Sequence, residues 1–236
     1  MSIYDVKSFK ELVEGNSYVG RGIVVGKTED NKLAMAYFIM GRSENSRNRV
    51  FVEKDNALFT EPFDVSKVED PSLIIYAAMR DHENKIIVTN GDQTDTIYEG
   101  IKEGLGFGKA LKSREFEPDA PNFTPRISAM IKRCDASYKM SILKSADAEG
   151  TACNRYIFDY TSLPGVGHFI HTYNCDGNPL PTFTGEPKRV KIASDIDTFT
   201  NEIWEALNDE NKISLFTRFI NLEDATEERR LINKNK

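Results

Sequence analysis

The sequence predicts an α+β fold of stacked layers. Three observations carry that prediction. Segments of strand-like composition come in consecutive runs, at 18–40 and again at 124–173, with helical patterns between and after the runs. That order favours packed sheets and helices over a doubly wound βαβ sheet. The chain has 236 residues, 39% of them hydrophobic, which is ample apolar material for a core. No internal repeat, Pro/Gly/Ser-rich linker or low-complexity tract divides it. Residues 1–236 therefore read as a single domain, with an N-terminal helical extension at 1–16 and a charged C-terminal tail at 223–236.

In order along the chain, residues 5–14 read as a short amphipathic helix. Val6, Phe9, Leu12 and Val13 share a face and Gly15 serves as C-cap. Tyr18–Gly26 and Leu33–Met40 read as strands joined by the polar turn 29–32, and the nearly all-apolar second strand predicts burial on both faces. The polar loop 41–49 follows, then a strand at Val50–Glu53. Pro71–Met79 is apolar and of ambiguous period. Lys85–Val88 reads as a strand and Asp92–Leu105 as a helix, with Ile97, Ile101 and Leu105 in line and Gly104, Gly106 and Gly108 ending it. Lys109–Ser113 adds a turn. Thr124–Ile131, Ala136–Leu143, Asn154–Tyr160 and Gly167–Tyr173 are strand candidates. Residues 174–187, with Asn, Asp, Gly and Pro, read as a long loop, and Val190–Ile192 as a short strand. Ser194 or Asp195 caps a helix running to about Asn208, with Ile196, Phe199, Ile203 and Leu207 on one side. The last stretch reads as a solvated helix or a frayed tail.

Composition narrows the function. The formal net charge is -6, without a basic block, which argues against nucleic-acid binding. No apolar run approaches the roughly 18 residues of a membrane span, and the N-terminus lacks the apolar core of a secretory signal. Cys134, Cys153 and Cys175 are odd in number and widely spaced, so reduced thiols in a cytoplasm are expected. His82, His168 and His171 lack metal-ligand spacing, so no metal is expected.

Four clusters could carry chemistry. The loop Gly41-Arg42-Ser43-Glu44-Asn45-Ser46-Arg47-Asn48-Arg49 offers planar guanidinium groups for phosphate or carboxylate oxygens, and reads otherwise as a solvated loop. Tyr76 ends an apolar run and reads otherwise as a core aromatic. Val88-Thr89-Asn90-Gly91-Asp92-Gln93-Thr94-Asp95-Thr96-Ile97 leads from a strand through a small polar turn into a helix. Such a junction presents backbone donors to an anion, or is simply a capped turn. In Phe116-Glu117-Pro118-Asp119-Ala120-Pro121-Asn122-Phe123-Thr124-Pro125-Arg126, three prolines hold carboxylates and an arginine for proton transfer or ligand contact. It also reads as an ordinary stiffened connection.

Taken together and in this order, the clusters resemble the archaeal-type IMP cyclohydrolases. The matching blocks are GRS…NR from Gly41 to Arg49, DP-x-x-I-x-Y from Asp70 to Tyr76, V-x-NG-x-x-TDTI from Val88 to Ile97, and FE-x-D…N-x-TPRI from Phe116 to Ile127. The resemblance runs from Tyr18 to Ile131, and more loosely to Tyr173. It implies a four-layer αββα sandwich, N-terminal-nucleophile-hydrolase-like but without the N-terminal nucleophile. It implies dehydrative ring closure of 5-formamidoimidazole-4-carboxamide ribonucleotide (FAICAR) to inosine monophosphate (IMP), with no cofactor and a homo-oligomeric state such as a tetramer. A nucleophile of that fold would start the first strand, whereas residues 1–16 precede it here, so Ser2 is not expected to act. The extension and the divergent region beyond 175 depart from the archaeal pattern.

By position in the motifs, the resemblance implies Arg42, Tyr76 and Glu117 as the catalytic set. Asn90, Gly91, Asp92 and Thr94 would contact base or ribose, and Arg49 and Arg126 the phosphate. Arg47, Asp95, Thr96 and Thr124 complete the expected binding set, although Asp95 and Thr96 also suit a helix cap. An amide hydrolase of the same fold and a non-catalytic purine-nucleotide binder remain as alternatives.

Overall fold

The computed structural model describes residues 4–68 and 75–235. Ser2 and the first part of the Asp70–Tyr76 block lie outside them. Two antiparallel sheets make up most of the molecule. One has six strands: β1 (Arg21–Lys27), β2 (Lys32–Met40), β10 (Val166–His171), β11 (Lys188–Lys191), β12 (Lys212–Asn221) and β13 (Glu227–Asn233), in the order β11-β10-β1-β2-β12-β13. The other has seven in chain order: β3 (Val50–Lys54), β4 (Ala57–Glu61), β5 (Tyr76–His82), β6 (Lys85–Thr89), β7 (Arg126–Lys132), β8 (Tyr138–Ser145) and β9 (Cys153–Tyr160).

Alternation explains how the sheets pack. Ile23 and Val25 of β1 and Leu33, Met35, Tyr37 and Ile39 of β2 turn inward, against Ala78, Ile86, Val88, Ile127 and Ala129 of the seven-stranded sheet. The alternate residues Val24, Ala36 and Phe38 turn outward onto α1 (Phe9–Val13) and α5 (Ile196–Ala206). Ile87, Met130 and Leu143 similarly meet α3 (Gln93–Lys102) and α4 (Phe107–Ala110). Helix α2 (Glu44–Arg47) is a single turn held by a Ser43–Ser46 capping box.

The expected four-layer αββα sandwich of N-terminal-nucleophile-hydrolase type is corrected by this arrangement. The chain has an α+β fold dominated by two large antiparallel sheets. The named helices are short, the longest being the 11 residues of α5, and they patch the outer sheet faces instead of forming layers. Strand β9 shows the consequence: Ile157, on the outer face beside Gly108, remains 45% exposed.

Three strands differ from the sequence reading. β4 lies in a stretch after β3 to which the sequence reading assigns no element. β12 is central, yet its run carries Arg218, which marks it as polar although that side chain is 1% exposed. Residues 227–233, expected as part of a charged tail, form β13 and pair with β12 from Ser214↔Asn233 to Ile220↔Glu227. Their charges are taken up by neighbours, because Glu227 accepts from Arg218 and Arg229.

Candidate active site

One end of the space between the sheets is polar. The starts of β1, β3, β5 and β7, the ends of β2 and β6, and the segment after β10 converge there. Arg21 shares the inward face of Ile23 and Val25, and is 8% exposed. Gly20 makes the approach possible: it has a φ of 76°, and a Cβ on it would fall 2.0 Å from Thr172 Oγ1. A cavity of about 270 Å3 opens at this end, with Arg21, Arg42, Arg49 and Glu117 in its wall and Tyr18, Thr124 and Tyr173 beside them.

Glu117 is the buried acid of the cavity, 8% exposed. Its N–H donates to the Thr124 carbonyl at 2.9 Å and closes the proline-rich loop. Asp119 fixes that loop by accepting from the Thr124 N–H at 2.6 Å and from its hydroxyl. The Thr124 and Tyr173 hydroxyls lie 2.5 Å apart. Burial pushes the Glu117 pKa up; Arg21 and Arg126 oppose this, Asp119 adds to it, Arg49 opposes it, and the net shift is upward.

The arginines are unequal. Burial alone would lower the pKa of Arg21, but Tyr18, Glu117, Tyr173 and Tyr76 around it outweigh that and raise it. Arg49, 6% exposed, is pulled down by burial and then by the like charge of Arg21. The Nε atoms of both are buried without a hydrogen-bond partner. Two guanidinium groups held in this way suit an anion. Arg42 is tied to the Asp176 carboxylate and donates to the Gly177 carbonyl at 2.9 Å, and its guanidinium lies 5.1 Å from the Tyr18 ring centre.

The other expected residues divide into groups. Tyr76 is 6% exposed and stands behind the cavity wall, near Arg21 and Arg49. Its hydroxyl is 3.0 Å from that of Tyr37. Arg126, 8% exposed, donates to Asp92 at 2.7 Å and to Gln93 at 2.8 Å. A Cβ on Gly91 would fall 2.5 Å from Arg126 Nη1 and 3.5 Å from Glu117 Oε1, so Gly91 adjoins the acid. Asp92 occupies the N-cap position of α3 without capping it, because its carboxylate is drawn to Arg126 and Arg114.

Asn90 and Thr94 are occupied by the scaffold. Asn90 donates to the Pro125 carbonyl at 2.9 Å and accepts from the Ile127 N–H at 2.8 Å, while Thr94 bonds Thr89 at 2.7 Å. Arg47 turns away to the Gly41 carbonyl and Asn211. Asp95 accepts from Arg80 at 2.6 Å on the outer surface. Thr96 lies further along α3 and does not line the cavity. Arg21, Tyr18 and Tyr173 lie outside the set expected from the sequence. The available signal was Arg21 between two glycines in an otherwise apolar strand.

Among the described residues, no group of three or more His, Cys, Asp or Glu side chains could hold a metal ion. No helix there is long and apolar enough to cross a membrane.

The chain is similar to several archaeal proteins. It is 28% identical over 169 residues to an IMP cyclohydrolase of Methanococcus aeolicus, covering 67% of this chain and 75% of that protein. It is 29% identical over 182 residues to an IMP cyclohydrolase of Methanopyrus kandleri, covering 70% of this chain and 89% of the other. An IMP cyclohydrolase of Methanocella arvoryzae is 34% identical over 120 residues, or 49% of this chain and 58% of that one. The family model described as "IMP cyclohydrolase-like protein" matches residues 18–225, which take in the cavity and every strand of both sheets except β13. On that match, the chain belongs to the IMP cyclohydrolase-like family.

Proposed function

We propose that this chain is an IMP cyclohydrolase that closes FAICAR to IMP with loss of water. The observation that carries the reading is Glu117, an acid buried beside Arg21, Arg49 and Arg126, in a chain of this family. Ring closure needs the carboxamide aligned and deprotonated, the formyl oxygen stabilised as it gains charge, and the phosphate anchored. Alignment contributes roughly 7 kcal/mol or more in an intramolecular reaction. Preorganised donors at the oxyanion contribute about 3–4 kcal/mol.

Glu117 orients the carboxamide and accepts its proton, a task suited to a carboxylate whose pKa is raised towards neutrality. Arg42 stabilises the developing oxyanion, and Asp176 and Gly177 limit where its guanidinium can point. Tyr76 assists from behind the wall by relaying to the departing oxygen the proton that Glu117 took from the carboxamide, and with the hydrogen lost from the formamide nitrogen that oxygen leaves as water. Burial raises the pKa of its partner Tyr37 well above the ordinary value, so that hydroxyl stays protonated and can donate to Tyr76. Arg49 and Arg126 take the phosphate, joined by Arg21. Gly91 and Thr124 shape the pocket around the base and ribose. Asn90, Asp92 and Thr94 serve mainly by holding the β6–β7 junction and Arg126. A homo-oligomer working in the cytoplasm belongs to the same reading.

The test is direct. Purified protein is mixed with FAICAR and IMP is followed by absorbance, with Glu117→Gln as control. Formation of IMP no faster than the uncatalysed rate overturns the proposal.

A further inference from the structure

We infer that β9 is a self-complementary edge at which a second copy of this chain docks, strand against strand about a twofold axis. Among the described residues, β9 ends the seven-stranded sheet, with β8 as its only neighbour. An edge strand presents a row of unpaired N–H and C=O groups, and proteins usually cover it. Here two other edges are covered. Asn233 bonds both the N–H and the C=O of Phe51 on β3, at 2.8 and 2.9 Å. The main chain of Lys7 bridges to β11 beside Val190. Among the described residues, no backbone hydrogen bond outside the sheet reaches Arg155, Ile157 or Asp159 of β9.

The direction of those groups follows from the register. The Ala146 N–H donates to the Ala152 carbonyl at 2.9 Å, and pairing of β8 with β9 continues without a shift from Ser145↔Cys153 to Tyr138↔Tyr160. Backbone groups alternate in an antiparallel ladder. Residues 152, 154, 156 and 158 therefore bond inward to β8, and 155, 157 and 159 point to the open edge.

The sequence Arg155-Tyr156-Ile157-Phe158-Asp159 is complementary to itself when reversed. With the twofold axis at Ile157, that residue meets Ile157 of the second copy as a hydrogen-bonded pair. Arg155 then lies opposite Asp159 of the second copy, and Tyr156 opposite its Phe158. Opposite charges and aromatic pairs facing across strands are the pairs that stabilise a sheet. The exposed apolar area fits this, since Tyr156 and Ile157 are both 45% exposed. Both charges have partners within the chain, Arg155 with Glu115 and the Arg114 carbonyl and Asp159 with Lys139, but the side chains are 32% and 67% exposed, so each can be shared with the second copy. One surface used twice by identical chains is the isologous contact of a closed dimer.

Charge reversal tests the pairing by sedimentation velocity and light scattering. Wild-type chain should self-associate at concentrations of about 1–100 µM. Arg155→Asp alone and Asp159→Arg alone each place like charges opposite one another twice, and should weaken association roughly tenfold or more. The double variant Arg155→Asp/Asp159→Arg restores both pairs and should recover association. Thermal unfolding of each variant checks that the fold is intact. A monomeric wild type, single variants that associate like wild type, or a double variant that stays dissociated would each overturn the inference. None of these readouts depends on the catalytic proposal.

Discussion

Tyr37 and Tyr76 join the two sheets through a hydroxyl pair 3.0 Å apart, one residue on β2 and the other at the start of β5. Both rings are buried, and the pair sits directly behind the charged end of the core. Removing either hydroxyl strands the other. Tyr37→Phe and Tyr76→Phe should each cost about 1–3 kcal/mol of stability, whereas the double variant should cost less than the sum. Chemical denaturation of the four proteins measures the coupling. If Tyr76 also acts in turnover, Tyr76→Phe should lower kcat more than Tyr37→Phe does, and equal effects would confine Tyr76 to a structural role.

Glu117→Gln should bind ligand yet lose roughly 10²- to 10⁴-fold in kcat, the usual contribution of a positioned base. Its pKa lies above the ordinary value for a glutamate, chiefly through burial. Activity should therefore rise with pH along a limb lying above the ordinary carboxylate range. The stability consequence has the opposite sense. A carboxyl with a raised folded pKa favours the native state below its unfolded value, and that benefit is lost as pH rises through the folded value. Glu117→Gln should thus keep or raise Tm at neutral pH, with the difference vanishing below about pH 4. A variant that is less stable at pH 7 but fully active would remove Glu117 from the mechanism.

Arg21 and Arg49 carry buried Nε atoms without partners and repel each other, a cost that a bound anion would relieve. IMP at a hundred times its Kd should stabilise the wild-type chain by about 2.7 kcal/mol. Arg49→Ala and Arg21→Ala should each lose much of that protection at the same IMP concentration, and should raise KM more than they lower kcat. Unchanged protection by IMP in both variants would move the phosphate site elsewhere.

Much of this was legible in the sequence because periodicity reports which faces are buried. The apolar run at 33–40 is β2, buried on both faces, and Ile196, Phe199 and Ile203 mark the inward side of α5. Arg42, Arg49, Glu117 and Thr124, distant in the sequence, line one cavity. What escaped follows from pairing, which periodicity does not encode. Arg21 and Arg218 read as polar interruptions, because only long-range partners make a buried guanidinium affordable: Glu117 for the first, Asp81 and Glu227 for the second. Arg47 and Asp95 show the reverse, motif residues whose side chains are consumed by Asn211 and Arg80. The four-layer architecture was what the family resemblance implied, and the helices of this chain are too short to cover the sheets in that way. Asp92–Leu105 contracts to a helix at Gln93–Lys102.

At the opposite end of the sheets, Arg218 donates to Asp81 and Glu227 at 2.8 Å, and is 1% exposed. Arg218→Met should leave two carboxylates short of a partner and cost roughly 3–5 kcal/mol. Burial alone would raise the pKa of Glu227, but hydrogen bonds from Arg218 and Arg229 hold it down at about 2. Depression of a carboxyl below its ordinary value of 4.5 gives stability above that pH, lost as pH falls towards about 2. Glu227→Gln should flatten this part of the acid unfolding curve followed by circular dichroism. An acid limb identical to wild type would mean that the network contributes no pH-dependent stability.

Gly91→Ala probes whether the β6–α3 turn positions Arg126 relative to Glu117. The added Cβ would lie 2.5 Å from Arg126 Nη1 and 2.7 Å from Gln93 Oε1, and both atoms end side chains that can shift. The fold should therefore survive, at a cost of about 1–3 kcal/mol for the overpacking. The Arg126 guanidinium cannot keep its present place, 2.7 Å from Asp92, and must move relative to Glu117, whose Oε1 would lie 3.5 Å from the new methyl. Displacement of an anchoring group by a fraction of an ångström weakens substrate binding. KM should rise several-fold, and Arg126→Ala added to Gly91→Ala should change it little further, because both disturb the same contact. A steady-state series on the wild type, the two single variants and the double variant settles the point, since additive effects on KM would mean that Gly91 acts on something other than Arg126.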